Sequence, residues 1–482
     1  MRKYLGGQSV AVRRTAIMVA CLVALSGCST VGPDYRAPEI QLPEKWMEAR
    51  SELVLQADQD RLRAWWQSFN DATLNQLVDQ AISHNQDVEI ALARLQQARA
   101  ERMQIAAGLL PTISVGGIGE AKFGSRSVNM QSGGGARSWH AGFDASWELD
   151  IFGGKKRAVE SADAEVEALT NDLYALQVSL IAELVSSYAE LRTTQARLGI
   201  AHDNIRTLQE SEKLALQSLN SGLGSSAEWR QAKAERELAQ AQPPALEATI
   251  AKLSHTIGVL AGGFPSDWQT VLVEPAPTLL VAPRLPMSLP SEVLINRPDL
   301  RAGERRLAAA TAQIGVAQAV GLPHFTIPLG IGSTASVIHN LFSGESLAWL
   351  ARMQADQVLF DGGSAAAGVT AAQANAEAAK LNYERDIRWA LRDVEDALTT
   401  LYSERQRQQS LSAAVEDSHL SLEHVTQLYR AGITGYVPVL LAQRSSNQAK
   451  DALALSKLAE VQGAIALYKA MGAGWQSLPA PV

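Results

Sequence analysis

Cys28 is the residue of the chain with the clearest covalent chemistry. It follows Leu25-Ser26-Gly27, and small residues directly before a cysteine at the end of an export signal are typical of the bacterial lipobox, whose cysteine is acylated after cleavage. The preceding residues carry four basic side chains, no acid and a ten-residue apolar run at 16–25, as secretory signals do. We therefore predict a lipoprotein signal peptide at 1–27 and lipidation at Cys28. The alternative is an ordinary signal peptide that ends before a cysteine by chance.

No other set of side chains has the spacing of a catalytic or metal-binding motif. The second cysteine, Cys21, lies inside the predicted signal, so the mature chain has no disulfide framework and no cysteine-based metal site. His419 and His424 are five residues apart, whereas a metal pair on one helical face needs the i, i+4 spacing. The run Phe360-Asp-Gly-Gly363 lacks the Gly-Lys-Ser/Thr ending of a phosphate loop. We therefore predict no enzymatic activity, no cofactor and no metal.

Charge and hydropathy restrict the possible partners. The formal net charge is −7, and loss of the four basic signal residues takes it to −11. Such an acidic chain is not expected to bind nucleic acid, which selects basic surfaces. No apolar stretch has the 18 or more residues that a membrane-spanning helix needs. If the protein enters a membrane, we expect a closed barrel of strands, because open strand edges cannot be satisfied in lipid.

The elements that follow are arranged in two similar halves. Asn85-Gln-Asp87-Val88 corresponds to Arg297-Pro-Asp299-Leu300, and at the same offset Leu110-Pro111 corresponds to Leu322-Pro323. A period this long indicates a duplicated domain and not a solenoid of short repeats. The predicted organisation is an N-terminal extended segment at 28–70, a first repeat at 71–262, a linker at 263–290, a second repeat at 291–472 and a tail at 473–482.

Each half contains a pair of predicted strands, at about 112–123 and 140–150 in the first and about 324–333 and 347–360 in the second. In the strand at 140–150, Phe143 and Trp147 fall on an apolar face and Asp144 and Glu148 on a polar one. Roughly ten residues with this alternation suit a tilted membrane-spanning strand, and the alternative is a half-buried strand of a soluble sheet. Pro328 lacks a ladder donor, so we expect a bulge or a local break there.

A very long helix is predicted after each strand pair. From Lys155 to about Leu219, leucines recur at spacings of three and four, as in a coiled coil. Glycine turns at 221–224 and 431–435 end these helices, and returning helices are predicted at 227–260 and 436–472. Pro243-Pro244 is expected to kink or divide the first returning helix.

Several short motifs, in this order and spacing, resemble the TolC-like outer-membrane factors, in particular their lipidated NodT-type branch. The matching runs are Cys28 with Val31-Gly-Pro-Asp-Tyr35, Trp65-Trp66, Leu109-Leu-Pro-Thr112, Trp147-Glu-Leu-Asp150, Asn296-Arg-Pro-Asp299, Phe360-Asp-Gly-Gly363 and Leu467-Tyr-Lys-Ala-Met-Gly472. The resemblance implies a mixed α and β homotrimer with a shared 12-stranded outer-membrane β-barrel and a periplasmic α-helical barrel of coiled-coil helices. Two strands per repeat agree with sharing, since the smallest such barrels have eight strands.

The resemblance also implies partners and a location. The chain would be anchored in outer-membrane lipid and extend into the periplasm. There the hairpin tips at Gly222, Gly224, Gly432 and Gly435 would dock on a periplasmic adaptor (membrane fusion) protein. An inner-membrane transporter, commonly of the RND type, would supply energy for drug efflux. The alternatives are a duct of the same fold for heavy-metal export or type I protein secretion, and a structural surface lipoprotein.

Relatives close their tunnel near the second hairpin, often with a ring of acids. Here the two corresponding positions are Pro438 and Leu441, and Val437 matches an apolar constriction position. We therefore hypothesise an apolar closure by Val437 and Leu441, against the alternative of ordinary helix packing. Negative charge would come instead from Glu228. By resemblance, Tyr429 and Arg444 make inter-helix contacts.

Overall fold

The computed structural model describes residues 30–48, 55–56, 62–122, 136–274, 280–282, 286–287 and 290–477. The predicted signal peptide at 1–27 and the predicted lipidation site Cys28 lie outside the described residues, as do the loop at 123–135 and the end of the tail. The described helices include none that is long and apolar enough to cross a membrane.

Within the described residues, the first half of the chain contains two strands of the main sheet and five major helices. Their bounds are α1 (Ala72–His84), α2 (Gln86–Ala107), β1 (Thr112–Lys122), β2 (Ala136–Leu149), α3 (Gly154–Asn220), α4 (Ser226–Gln240) and α5 (Pro243–Leu260). A short helix, α6 (Gln269–Val273), follows within the predicted linker. A two-residue parallel ladder pairs Leu55–Gln56 with Pro286–Met287.

The second half repeats this order. Its elements are α7 (Pro290–Asn296), α8 (Pro298–Ala319), β3 (His324–Ala335), β4 (Leu347–Ala351), β5 (Gln354–Asp356), α9 (Ser364–Arg430) and α10 (Tyr436–Ala470). The helices α3 and α9 have 67 residues each, which corresponds to about 100 Å at 1.5 Å per residue. The long-helix and hairpin predictions are therefore confirmed.

Two compact units can be described separately. The first comprises the chain up to Glu39, Leu95–Ala168 and Gly303–Tyr383, and it contains all strands of the main sheet. The second comprises Ile40–Arg94, Leu169–Ala302 and Glu384–Val482, and it contains both helical hairpin turns.

The starts of α3 and α9 are fixed by two corresponding aspartates. Asp150 accepts hydrogen bonds from the backbone N–H groups of Lys155 at 3.0 Å and Lys156 at 2.8 Å. Asp361 accepts from the N–H groups of Gly363 at 2.8 Å and Ala365 at 2.6 Å, and these bonds hold the pKa of its carboxyl below the usual value. Each aspartate therefore caps a helix N-terminus, where backbone donors lack partners. Phe360-Asp-Gly-Gly363 is a strand-to-helix corner.

The main sheet is antiparallel, in the order β1-β2-β3-β4, with β5 also paired to β3. The strand predicted at 347–360 is corrected to two short strands, β4 and β5, separated at Arg352-Met353. The cause of this split is Pro328 in the neighbouring strand β3. Pro328 pairs in regular register with Ser146 of β2, but it has no N–H to donate. The ladder between β3 and the last strand is therefore interrupted next to Pro328. The bulge or local break expected at Pro328 is therefore not found in its own strand: β3 is continuous through Pro328, and the interruption lies in the opposite strand.

The pairing register places apolar side chains on one face of the sheet. Val115 pairs with Phe143, Phe143 with Ile331, and Ile331 with Trp349. These four side chains are all exposed in the single chain. Directly paired residues of an antiparallel sheet share a face, so the predicted apolar face continues across all four strands.

Three helical stretches are divided. The stretch before β1 divides at Asn85, whose side-chain oxygen accepts from the N–H groups of Asp87 and Val88 and so caps a new helix. The stretch before β3 divides before Pro298, which begins α8. The first returning helix divides before Pro243, as expected.

Candidate functional site: the hairpin tips

Both hairpin turns of the second unit have the same backbone structure. Gly222 and Gly432 have positive φ values of 72° and 69°. The N–H of Leu223 bonds to the carbonyl of Ser218 at 3.0 Å, and the N–H of Ile433 bonds to that of Leu428 at 3.0 Å. These are Schellman motifs, in which a left-handed glycine lets the chain leave the helix. The apolar residue after each glycine is exposed, at 87% for Leu223 and 72% for Ile433.

Glu228 contacts the N-termini of both returning helices. Ser225 and Glu228 form a reciprocal capping box, with both hydrogen bonds at 3.2 Å. Gly435 occupies the N-cap position of α10 but has no side chain that could accept a hydrogen bond. The second carboxylate oxygen of Glu228 accepts from the N–H of Tyr436 instead, at 3.5 Å. The negative charge expected at Glu228 therefore faces two helix N-termini, where the helix dipoles favour it.

The buried core between the hairpins separates α10 into two faces. Tyr436, Val439 and Leu440 are buried with Ala215 and Ala232, and Tyr429 packs against this cluster. The Tyr429 and Tyr436 rings are tilted, with centroids 5.8 Å apart. Val437 and Leu441, the residues of the hypothesised apolar closure, are not in this core. They lie one turn apart and remain 48% and 58% exposed.

An ion pair joins the two returning helices one turn further along. Arg444 of α10 directs its guanidinium at the Glu235 carboxylate of α4, with Nε 3.2 Å from Oε2 and the terminal nitrogen in contact with Oε1. Burial, followed by the charge of Glu235, raises the pKa of Tyr436 to about 12. The structure thus gives Tyr429 and Arg444 inter-helix contacts: aromatic packing for the first and charge pairing for the second.

The seam between the hairpins also contains buried polar groups. Tyr436, Gln443 and Ser446 are at most 3% exposed and follow each other at spacings of seven and three, as core positions of a coiled coil do. The Tyr436 hydroxyl, both Gln443 amide atoms and the Ser446 hydroxyl have no hydrogen-bond partner within the described part of the chain. Such groups cost free energy when buried, so this seam is less stable than an apolar one of the same shape.

A polar recess of about 400 Å³ opens beside the two turns. Its lining includes Ser218, Ser221, Glu228, Tyr429 and Thr434. It therefore offers hydroxyl groups and one carboxylate next to the two exposed apolar tips.

Metal-binding geometry is not found here. Across the described ranges no group of three or more His, Cys, Asp and Glu side chains could hold a metal ion. His419, one of the two spaced histidines, lies 3.6 Å from Glu423 on its own helix.

Two contacts at the tips were not predicted from the sequence. Glu235 as the partner of Arg444 was missed, and so was the reach of Glu228 to Tyr436. The Ser-x-x-Glu spacing at 225–228 is a readable capping-box signal. Nothing local indicates which residue of a helix 209 positions away will receive Arg444.

Duplicated strand pairs with an exposed apolar face, together with duplicated long helical hairpins, define an outer-membrane efflux channel. Residues 77–263 and 289–473 match the model of the family described as "Outer membrane efflux protein", and the chain belongs to that family. The members of this family are efflux channels, so a catalytic role is not expected.

Known proteins similar over nearly the whole chain carry names of the same class. The chain is 30% identical to the pyoverdine export outer membrane protein OpmQ of Pseudomonas putida, over 95% of this chain and 97% of that one. It is 28% identical to the cation efflux system protein CusC of Escherichia coli, over 94% and 97%. Among solved structures, the outer-membrane channel OprN matches with a TM-score of 0.89 and 35% identity, over 93% of this chain and all of that one.

Proposed function

We propose that the protein works as a homotrimeric exit duct of a tripartite efflux pump. A periplasmic adaptor protein and an inner-membrane transporter of the RND type would complete the pump, and Cys28 would carry the lipid anchor. The observation that supports this best is the duplication itself, which supplies two strand pairs and two long helical hairpins in one chain. The channel conducts passively, so energy has to come from the transporter.

The sheet supports the trimer. Among the described residues, the outer edge of β1 has no strand partner, and neither does the outer edge of β4 and β5. In lipid these edges must be paired, and a four-stranded sheet cannot close on itself. Three copies, each pairing one edge with the next copy, would give a closed barrel of twelve strands with the Phe143 face towards lipid.

The hairpin tips support a closure and a docking surface. Val437 and Leu441 are exposed and apolar on one helix face, so copies meeting around a threefold axis would close the tunnel with them. Leu223 and Ile433 are the exposed apolar tips, and the polar recess at Ser218 and Thr434 lies beside them. We assign the surface around Gly222, Gly224, Gly432 and Gly435 to the adaptor.

The substrates are small toxic compounds. Relatives that match more than nine-tenths of the chain are named for pyoverdine export, antibiotic efflux and cation efflux. Relatives of the same family are thus named for very different substrates. This indicates that the duct is permissive and that the transporter selects the substrate. The second candidate is heavy-metal export, which the similarity to CusC favours.

Deletion of the gene with complementation tests this function. We expect the deletion strain to become more sensitive to dyes and antibiotics, and the wild-type gene to restore resistance. Sensitivity confined to metal ions would favour the metal alternative. Loss of a secreted protein with unchanged resistance would contradict the efflux function.

The lipid anchor has its own test. Metabolic labelling with radioactive palmitate should mark the wild-type chain, and Cys28→Ser should abolish the label. Label that persists in the variant would contradict acylation at this residue.

A further inference from the structure

The first described residues of the chain are bound to the start of the long helix α3. The N–H of Val31 donates to the carbonyl of Phe152 at 2.9 Å. The Arg157 side chain is only 4% exposed, and its Nε donates to the carbonyl of Val31 at 3.0 Å. One terminal nitrogen of Arg157 also donates to the carbonyl of Gly32 at 3.3 Å. We refer to Arg157 and the bound residues 31–34 as the N-terminal clasp.

Charge complementarity completes the clasp. The same guanidinium bonds to Asp34 at 2.6 Å and to Glu160 at 2.7 Å. A buried cation needs such partners, and the planar fork of arginine can serve several acceptors at once, which lysine cannot do. Arg157 therefore recognises both the backbone and the aspartate of this short segment.

Close backbone packing fixes the position of the segment. Gly32 has a φ of 92°, and a Cβ on it would lie 2.5 Å from the Cα of Gly315. A Cβ on Gly315 would lie 2.5 Å from the carbonyl oxygen of Val31. Three residues further on, the Tyr35 hydroxyl donates to Glu304 at 2.6 Å and its ring packs on a small alanine cluster. A glycine is required on both sides of this contact.

The clasp lies beside the end of a sheet strand. Its backbone partner Phe152 is three residues beyond Leu149, the last residue of β2. Near that end, Trp147 is partly exposed on the apolar face and donates from its indole to the carbonyl of Leu109. Aromatic residues of this kind mark the rims of membrane sheets. Cys28 is three residues before Val31 in the sequence, and a chain spans at most about 3.6 Å per residue, so covalent geometry alone limits the distance between the two residues to roughly 11 Å.

We propose that Arg157 is a positioning residue for the lipid anchor. By holding residues 31–34 at the strand-to-helix corner, it makes the acyl chains on Cys28 enter the membrane at the level where β2 ends. The anchor then sets how deeply the sheet lies in the membrane, in addition to tethering the protein to it. This inference rests on the proposed acylation of Cys28.

A flexible insertion separates anchoring from the clasp. About six Gly and Ser residues inserted between Ser29 and Thr30 leave every contact of the clasp intact but release the anchor from it. We expect at least a threefold loss of the carbonate-resistant outer-membrane form, with unchanged palmitate labelling. The same insert placed after Glu48 is the control and should assemble like the wild type. Equal assembly of the two inserted chains would overturn the proposal.

Substitution of Arg157 gives a second, independent readout. Arg157→Ala and Arg157→Lys are made in the full-length lipidated chain and in a Cys28→Ala chain exported by an ordinary signal peptide. We expect at least a threefold assembly loss with Ala, and a partial loss with Lys, only in the lipidated chain. The same loss in both backgrounds, or in neither, would mean that Arg157 does not act through the anchor. Absence of palmitate label from the wild type would instead refute the acylation, which separates the two failures.

Discussion

Arg444 and Glu235 form an ion pair that joins the returning helix of the second hairpin to that of the first. The Glu235 carboxylate is mostly buried, whereas the Arg444 guanidinium is about half exposed. A pair of this kind contributes about 0.2–1 kcal/mol. Because the hairpins have to separate if the closure at the tips is to widen, the pair is expected to favour the closed state.

Breaking this pair should make the channel leak. We expect Arg444→Ala and Glu235→Gln each to raise the open fraction roughly two- to fivefold, and the double variant to add little, because both remove one interaction. Planar-bilayer conductance and antibiotic leak in cells measure this. The control is Arg407→Ala, which breaks a pair with Glu404 inside one helix. Strictly additive single and double variants would show that the two residues act separately.

Leu440 and Leu441 are adjacent, but serine substitutions at the two positions should have different effects: the first should lower stability and the second should raise conductance. Leu440 is 2% exposed in the inter-hairpin core and Leu441 is 58% exposed. We expect Leu440→Ser to cost about 2–5 kcal/mol of stability, as large-to-small changes in cores do. Leu441→Ser should change stability by less than about 0.5 kcal/mol but raise conductance, since it removes part of the proposed apolar closure. Unchanged conductance and leak with Leu441→Ser would refute that closure and leave Leu441 as an ordinary surface residue.

The features predicted from the sequence are those fixed within a few residues. Glycine turns after the long helices, the Pro243 division and the alternation around Phe143 all depend on local backbone and side-chain chemistry. The split of the last strand depends on a proline in a neighbouring strand, and the partner of Arg444 lies in another hairpin. The clasp at Arg157 depends on a glycine of α8 and on residues 31–34. Such contacts follow from how elements pack, which no local pattern specifies.

Glu228 should influence both hairpins, although it belongs to one. Glu228→Ala removes an acceptor from its own helix and from the N-terminus of α10, and loss of a cap costs about 1 kcal/mol. Hydrogen exchange should therefore quicken at 225–229 and at Tyr436 and Val437. Ser225→Ala is the matched control, because it removes only the acceptor of the Glu228 N–H and should change only 225–229. Unchanged exchange at Tyr436 and Val437 in Glu228→Ala would show that the 3.5 Å contact to Tyr436 contributes nothing.

Deprotonation of two buried tyrosines should lower the stability of the folded chain at alkaline pH. Only one of the two hydroxyl groups is expected to stabilise the fold by a hydrogen bond. Burial raises the pKa of both Tyr436 and Tyr188 from 10 to about 12. The unfolded chain therefore loses these protons near pH 10 and the folded chain near pH 12. The stability that these two tyrosines contribute is fully present below pH 10 and is lost as the pH rises through 12. Tyr188 donates to Asp71 at 2.7 Å, whereas the Tyr436 hydroxyl has no partner within the described part of the chain.

Phenylalanine at each position separates the two contributions. At pH 8, Tyr188→Phe should lose about 1 kcal/mol and Tyr436→Phe should be neutral or slightly stabilised, because an unpartnered buried hydroxyl is removed. Each variant should lose less stability than the wild type between pH 10 and pH 12, because phenylalanine has no hydroxyl proton to lose and one of the two titrating groups is therefore gone. Denaturant unfolding in detergent at pH 8 and pH 11.5 measures this. A Tyr436→Phe chain that is clearly destabilised at pH 8 would mean that its hydroxyl has a partner, such as a bound water, that stabilises the seam between the hairpins.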